Sequence, residues 1–288
     1  MSEIVWLASY PKSGNTWLRV FLANFQRDTG QPVEINSLDV GALAVDRKLF
    51  DSALGVASSD MTPEEIECCR PEVCRHLAAR SAATLYITTH DAYTFTSAGE
   101  PLIPADVTRG AIYVARNPLD VAVSFAHHFI KPVEAAVERL GMEHTIGDGA
   151  PGRLRTQLRQ RLLSWSRHVL SWLDQRIIPV HVMRYEDMSL RPIETFSGAV
   201  RFLGWEEDVD RIHRAVMFSS FETLRQQEQS QGFKERQPGV SSFFRQGRAG
   251  GWHEVLTEEQ VARIISDHGP VMRRLGYLAE SGCVEPVP

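Results

Sequence analysis

Eight residues near the start of the chain, Tyr10-Pro11-Lys12-Ser13-Gly14-Asn15-Thr16-Trp17, constrain its fold more than any other stretch. They follow a short apolar run, residues 4–8, that reads as a buried strand. They lead into residues 16–27, where Trp17, Leu18, Phe21, Leu22 and Phe25 recur at helical spacing. Strand, loop and helix are thus joined through a lysine, a glycine and two hydroxyls. Such a turn aims backbone N–H groups and a helix N-terminus at one point, which is an anion site. A basic helix cap is the plainer alternative, but Pro11 and Gly14 beside the lysine favour a phosphate-bearing ligand. The loop of nucleoside triphosphatases, G-x-x-x-x-G-K-[ST], is different: its lysine follows the last glycine and its hydroxyl takes magnesium. Here Lys12 precedes the loop's one glycine.

Further apolar, β-rich runs fall at 85–88, 111–115 and 177–183. Helical patterns at 63–80, 118–129 and 154–174 separate them, and others follow at 192–203, 208–216, 219–228 and 257–275. Strands alternating with helices predict an α/β fold, a single P-loop-like domain over 1–288 whose mostly parallel central sheet is flanked by helices. Residues 31–59, 130–152 and 229–251 lack convincing periodicity and read as lids or binding loops.

Charge narrows the ligand. With 31 basic and 36 acidic residues the formal net charge is −5, which disfavours nucleic acid and anionic membranes as partners. An anion must therefore meet a local positive pocket on an acidic body. Cys68, Cys69, Cys74 and Cys283 are too few for a disulfide framework in 288 residues, and reduced cytoplasmic thiols are the better account. His76, two residues after Cys74, has no second ligand pair, so no metal is expected. No segment approaches the ~20 apolar residues of a membrane span, and the N-terminus lacks signal-peptide character. The expected compartment is the cytoplasm.

Three more segments carry chemistry. In Tyr113-Val114-Ala115-Arg116-Asn117-Pro118 a strand ends at Arg116 and Pro118 opens a helix, with Ser124 two turns in. A guanidinium at a strand's carboxyl end suits bidentate phosphate recognition, although an Arg116–Asp120 pair is the bland alternative. In Phe243-Phe244-Arg245-Gln246-Gly247-Arg248-Ala249-Gly250-Gly251-Trp252, two arginines among three glycines make a backbone-rich anion loop. In Tyr86-Ile87-Thr88-Thr89-His90-Asp91, His90 stands just past a strand, as a base or as an ordinary structural histidine. His127 and His128 are adjacent on one helix, point apart and make an improbable metal site.

Taken in order, these motifs resemble the cytosolic-type sulfotransferases, a family that also includes bacterial enzymes that decorate natural products. The resemblance runs from residue 4 to about 257 and is weakest across 31–80 and 130–152, the regions expected to shape the acceptor pocket. It implies 3′-phosphoadenosine 5′-phosphosulfate as co-substrate, with Lys12, Ser13, Gly14, Asn15 and Thr16 around the 5′-phosphosulfate and Trp17 stacked on adenine. It places Arg116 and Ser124 on the 3′-phosphate together with Arg245, Gln246 and Gly247. It brings Tyr185, in Tyr185-Glu186-Asp187-Met188, toward adenine, and packs Ser219 and Phe221 on the nucleoside. For Trp17 and Phe221 plain core packing is the alternative. It makes His90 the base that deprotonates a hydroxyl of a small-molecule acceptor, while Lys12 stabilises the leaving phosphate.

Three departures stand out. Thr88 replaces the lysine that precedes the family's Thr-His, Gln246 replaces a lysine and Gly251 an aspartate. Of the family's dimer signature K-x-x-x-T-V-x-x-x-E, due at 253–262, Thr257 alone survives, so that dimer is not expected. Two rival classes are a P-loop kinase or hydrolase, which needs magnesium and ATP, and a non-catalytic relative that binds only the bisphosphate nucleotide. Lys12 and His90 occurring together argue against the second.

Overall fold

The computed structural model describes residues 3–147, 155–279, 281 and 284. Cys283 and the first residue of the helix expected over 154–174 lie outside them. In chain order the strands and α-helices are β1 (Ile4–Ser9), α1 (Asn15–Arg27), β2 (Ala42–Leu43), α2 (Arg47–Leu54), α3 (Pro63–Arg80), β3 (Leu85–Thr89) and β4 (Thr108–Ala115). Then come α4 (Pro118–Phe129), α5 (Val133–Gly141), β5 (Thr145–Ile146), β6 (Gln160–Arg161), α6 (Trp165–Leu173) and β7 (Val180–Arg184). The chain continues through α7 (Tyr185–Leu190), α8 (Pro192–Phe202), α9 (Val209–Phe218), α10 (Phe221–Gln231) and α11 (Glu258–Arg274).

A five-stranded sheet has the order β2-β3-β1-β4-β7. β1 pairs in parallel with β3, Ile4 opposite Leu85 through Ala8 opposite Thr89, and β2 pairs in parallel with β3. Every residue of β1 is buried, as a strand covered on both faces must be. The α/β architecture with a mostly parallel sheet and flanking helices is the expected one. Its consequence for function is positional: β1, β3 and β4 end at Ser9, Thr89 and Ala115, immediately before the motifs of Lys12, His90 and Arg116. In open sheets of this kind ligands gather at the carboxyl ends of the strands.

Two compact units make up the chain, each assembled from three stretches: 1–10, 41–113 and 142–181 in one, 11–40, 114–141 and 182–288 in the other. In the first, Leu7, Ile87, Ile112, Trp165, Val169 and Trp172 are buried. In the second, Phe21 stacks on Phe196 at 4.0 Å and Phe25 on Trp205 at 5.4 Å, so α1, α8 and the turn after α8 form one aromatic layer.

The helix expected over 154–174 is shorter. Leu158, Leu162 and Trp165 are buried at helical spacing, yet the backbone before Trp165 is not helical because its bonds go elsewhere. Leu158 N–H donates to Val45 O, Leu162 N–H to His144 O, and Arg161 O accepts from Ala92 N–H. The helix starts only after Ser164, whose side chain accepts from Arg167 N–H. Residues 31–59 hold α2, capped by Asp46, and residues 130–152 hold α5, so neither segment is wholly irregular. No helix among the described residues is long and apolar enough to cross a membrane. Among the same residues no group of three or more His, Cys, Asp and Glu side chains is placed to hold a metal.

Candidate active site

The loop from β1 to α1 is built around two left-handed residues, Lys12 at φ 71° and Gly14 at φ 104°. Gly14 caps α1 with no side-chain hydrogen bond, and the first intrahelical bond runs from Leu18 N–H to Gly14 O. The donors of the helix's first turn therefore have no acceptor within the helix, and they carry the positive end of its dipole. A Cβ on Gly14 would stand 2.7 Å from Tyr185 Cδ2. Gly14→Ala adds that overlap to an unfavourable φ and is expected to cost about 2–4 kcal/mol of stability, read from the midpoint of urea unfolding.

Lys12 is half-buried, its ammonium 4.1 Å above the ring of Phe243 and 3.4 Å from His128 Nδ1. Burial first, and then the charge of Arg116, bring its pKa from 10.5 down to about 8, with Glu235 pulling the other way. Arg116 donates to Lys12 O at 3.1 Å and to Arg248 O at 3.3 Å, and its guanidinium lies 4.1 Å over Tyr185. Burial, Arg116 and Arg248 push the Arg245 guanidinium below its ordinary pKa. Burial, Arg245 and Lys12 lower His127 as well. Cations that depress one another in this way are arranged for an anion. Among the described residues Ser13 Oγ, Trp17 Nε1 and Arg116 Nε are buried polar atoms without a hydrogen-bond partner. Buried donors of that kind mark a position for a ligand acceptor.

The segment bearing Arg245 is held at both ends. Asp120 on α4 accepts from Gly250 N–H at 2.8 Å and Trp252 N–H at 3.1 Å. Glu228 on α10 accepts from Phe243 N–H at 2.7 Å and Phe244 N–H at 2.9 Å. Asp120 is thus an anchor for the loop, and the simple Arg116–Asp120 pairing is not what its carboxylate does. Gly247, at φ 62°, has no room for a Cβ, which would lie 2.1 Å from Phe221 Cδ2.

His90 is set in the other unit. Its Nδ1 lies 2.8 Å from Ser9 O. A carbonyl only accepts, so Nδ1 carries the proton and Nε2 is the basic nitrogen. Gln160 Oε1 accepts from His90 N–H at 3.0 Å, and His168 Nε2–H donates to His90 O at 3.1 Å. Tyr113 OH then donates to His168 Nδ1 at 2.9 Å. Burial holds His168 neutral with its pKa near about 3, so this prop does not titrate in the physiological range. The next residue, Asp91, is fully buried and accepts from Arg70 at 2.6 Å, Thr89 Oγ1 at 3.1 Å and Arg161 N–H at 2.8 Å. Backbone and ring of His90 are both fixed before any substrate arrives.

The structure thus brings Lys12, Ser13, Gly14, Asn15, Thr16, Trp17, Arg116, Tyr185, Phe221, Arg245, Gln246 and Gly247 into one unit. Trp17 meets Tyr185 edge-on at 5.7 Å, and Gln246 Oε1 accepts from Arg245 at 3.4 Å. Ser124 is half-buried on α4. Ser219 is fully buried, and its hydroxyl donates to Ala215 O and Val216 O at the end of α9. Thr88, at the position of the missing lysine, is buried in the sheet and donates to Gly41 O at 3.3 Å. Sequence reasoning passed over Glu228, Gln160 and His168, weighed His128 only as a metal ligand and Asp120 only as a partner for Arg116, and gave Phe243 no role of its own. Of these His128 had a signal: it stands four residues after Ser124, on the same face of one helix.

Residues 2–276 match the model of the Sulfotransferase domain family. Cytosolic sulfotransferase 17 of Arabidopsis thaliana is 28% identical over 302 residues, spanning 95% of this chain and 75% of the relative. Flavonol 3-sulfotransferase of Flaveria bidentis is 23% identical, spanning 90% of this chain and 78% of the relative. Among solved structures, mouse sulfotransferase SULT7A1 complexed with PAP superposes with a TM-score of 0.60 at 21% identity, covering 94% of this chain and 84% of that one. Retinol dehydratase in complex with androsterone and inactive cofactor PAP gives 0.61 at 18% identity, covering 96% and 83%.

Proposed function

The chain belongs to the sulfotransferase domain family, and from that premise we propose that it moves a sulfuryl group from 3′-phosphoadenosine 5′-phosphosulfate (PAPS) to a hydroxyl of a small molecule. The acceptor class is a phenol, an alcohol or a natural-product scaffold, the whole chain serves as one domain, and the compartment is the cytoplasm. The observation that carries this reading is the mutual crowding of Lys12, Arg116 and Arg245 in the unit where α1 begins with no side-chain cap. Two anionic ends of one donor need two cationic motifs. The residues fit the nucleotide on their own evidence, because Ser13 Oγ, Trp17 Nε1 and Arg116 Nε are buried donors awaiting acceptors.

When bound, PAPS supplies an activated sulfuryl group whose leaving group is a 5′-phosphate. Lys12 and the N–H groups of the loop would face that phosphate and stabilise the charge that grows on it, an effect worth roughly 3–4 kcal/mol per well-placed donor. Arg116, Arg245 and Ser124 would hold the 3′-phosphate, and Trp17 would bound the adenine. His90 Nε2 would accept the acceptor's proton, its Nδ1–H remaining on Ser9 O. Binding energy from the remote 3′-phosphate would orient the reacting end.

The test is titration calorimetry with the product nucleotide, 3′-phosphoadenosine 5′-phosphate (PAP), against ATP with magnesium. PAP binding tightly and ATP–magnesium not binding is the expected result. The reverse would overturn the donor assignment. Arg116→Ala is expected to weaken PAP by about 30–100-fold, the scale of one charge-assisted contact, in the same calorimeter.

A further inference from the structure

We propose that His128 is a positioning residue for Lys12, its Nδ1 accepting the ammonium's hydrogen bond and so keeping that ammonium charged and aimed into the β1–α1 loop. The contact is 3.4 Å. An ammonium has donors only, so Nδ1 must be the lone-pair nitrogen and the ring proton sits on Nε2. The ring's orientation is fixed by edge-on contacts with Phe129 at 4.8 Å, 88°, and with Phe243 at 6.1 Å, 86°. Phe243 also lies beneath the Lys12 ammonium at 4.1 Å, so one ring sets both partners.

The groups that act on this pair come from several elements. On Lys12, burial and then Arg116, two residues before α4, disfavour the charge, and Glu235, beyond α10, favours it. His127 is the neighbour on α4, and its protonated form is opposed by burial first and then by Arg245 and Lys12. Neutral His128 is the hydrogen-bond acceptor that offsets burial at the Lys12 ammonium. The pair therefore bears on the alkaline limit of the site, where Lys12, held down to about 8, gives up its charge.

The catalytic consequence rests on the sulfuryl-transfer reading, whereas the pairing itself is testable in the free protein. Competitive labelling with cyanate across pH, read at Lys12 by peptide mass analysis, gives the lysine's midpoint without nucleotide or acceptor. In His128→Phe the midpoint is expected to fall by about one unit, the size of one hydrogen bond to a charged group. His128→Gln, whose amide oxygen keeps an acceptor, is expected to restore most of it. An unchanged midpoint in His128→Phe overturns the pairing. The alkaline limb of kcat/KM for PAPS should move with the midpoint, and a limb that stays while the midpoint moves overturns the catalytic part. Failure of the wild type to bind PAP would instead strike the sulfotransferase reading and leave the labelling result standing.

Discussion

His90→Ala is expected to lower kcat by about 10³-fold and to leave PAP affinity within about twofold of the wild type. The asymmetry follows from where the residue stands. His90 follows β3 and is bonded to Ser9, Gln160 and His168, while the cationic motifs proposed to hold the nucleotide belong to the other set of chain segments. Removing the imidazole should therefore take away the base and little of the donor's hold. The carbonyl of Ser9 matters as much as the ring, because it assigns the proton to Nδ1 and the lone pair to Nε2. The measurement is transfer of label from phosphosulfate to a phenol chosen by an acceptor screen, alongside calorimetry with PAP. Turnover equal to wild type in the variant would remove His90 from the mechanism. Loss of PAP binding would make it a structural residue instead.

Lys12→Ala should lose about 10²–10³-fold in kcat and part of the nucleotide affinity as well, since on the proposed reading the same ammonium would face ground state and leaving group. Its pH behaviour is the sharper signature. The free protein holds the Lys12 pKa at about 8, lowered by burial and Arg116. The useful form is the protonated one, so kcat/KM for PAPS, which reports the free enzyme, should bend downward as pH rises past about 8. An anion beside Lys12 favours its charge, so kcat, which reports the bound state, should hold to higher pH. Lys12→Arg, charged throughout this range, should flatten the alkaline limb whatever its rate. A wild-type profile of kcat/KM that stays level to pH 10 would sink the assignment.

Much of this was legible in the chain because the informative residues are local. Tyr10 to Trp17 carries strand end, turn and helix start within one stretch, and α4 opens on Pro118 behind a buried strand. What stayed hidden depends on distant partners. Leu158, Leu162 and Trp165 have helical spacing, but Val45, Ala92 and His144 claim the backbone around them. Nothing in a linear pattern announces such competition. α2 escaped because Phe50 is its one buried residue, too little for a period to show. α5 was readable in principle, since Val133, Ala136, Val137 and Leu140 keep the helical interval. The props of His90 were unreadable, for Tyr113, Gln160 and His168 gain meaning only once the strands are placed.

The interleaving of the two units has a bearing on how the protein is made. Lys12 leaves the ribosome well before the residues that shape its surroundings, Arg116, Tyr185 and Phe243, are synthesised. Contacts so distant in sequence form slowly, because a long loop must close before any of them is gained. A nascent chain therefore holds its lysine loop without the walls that make it selective, and a truncated product lacks the segment that carries Arg245. Competence to bind nucleotide should emerge late and all at once in synthesis, which spares the cell partly built copies that sequester an energy-rich sulfuryl donor.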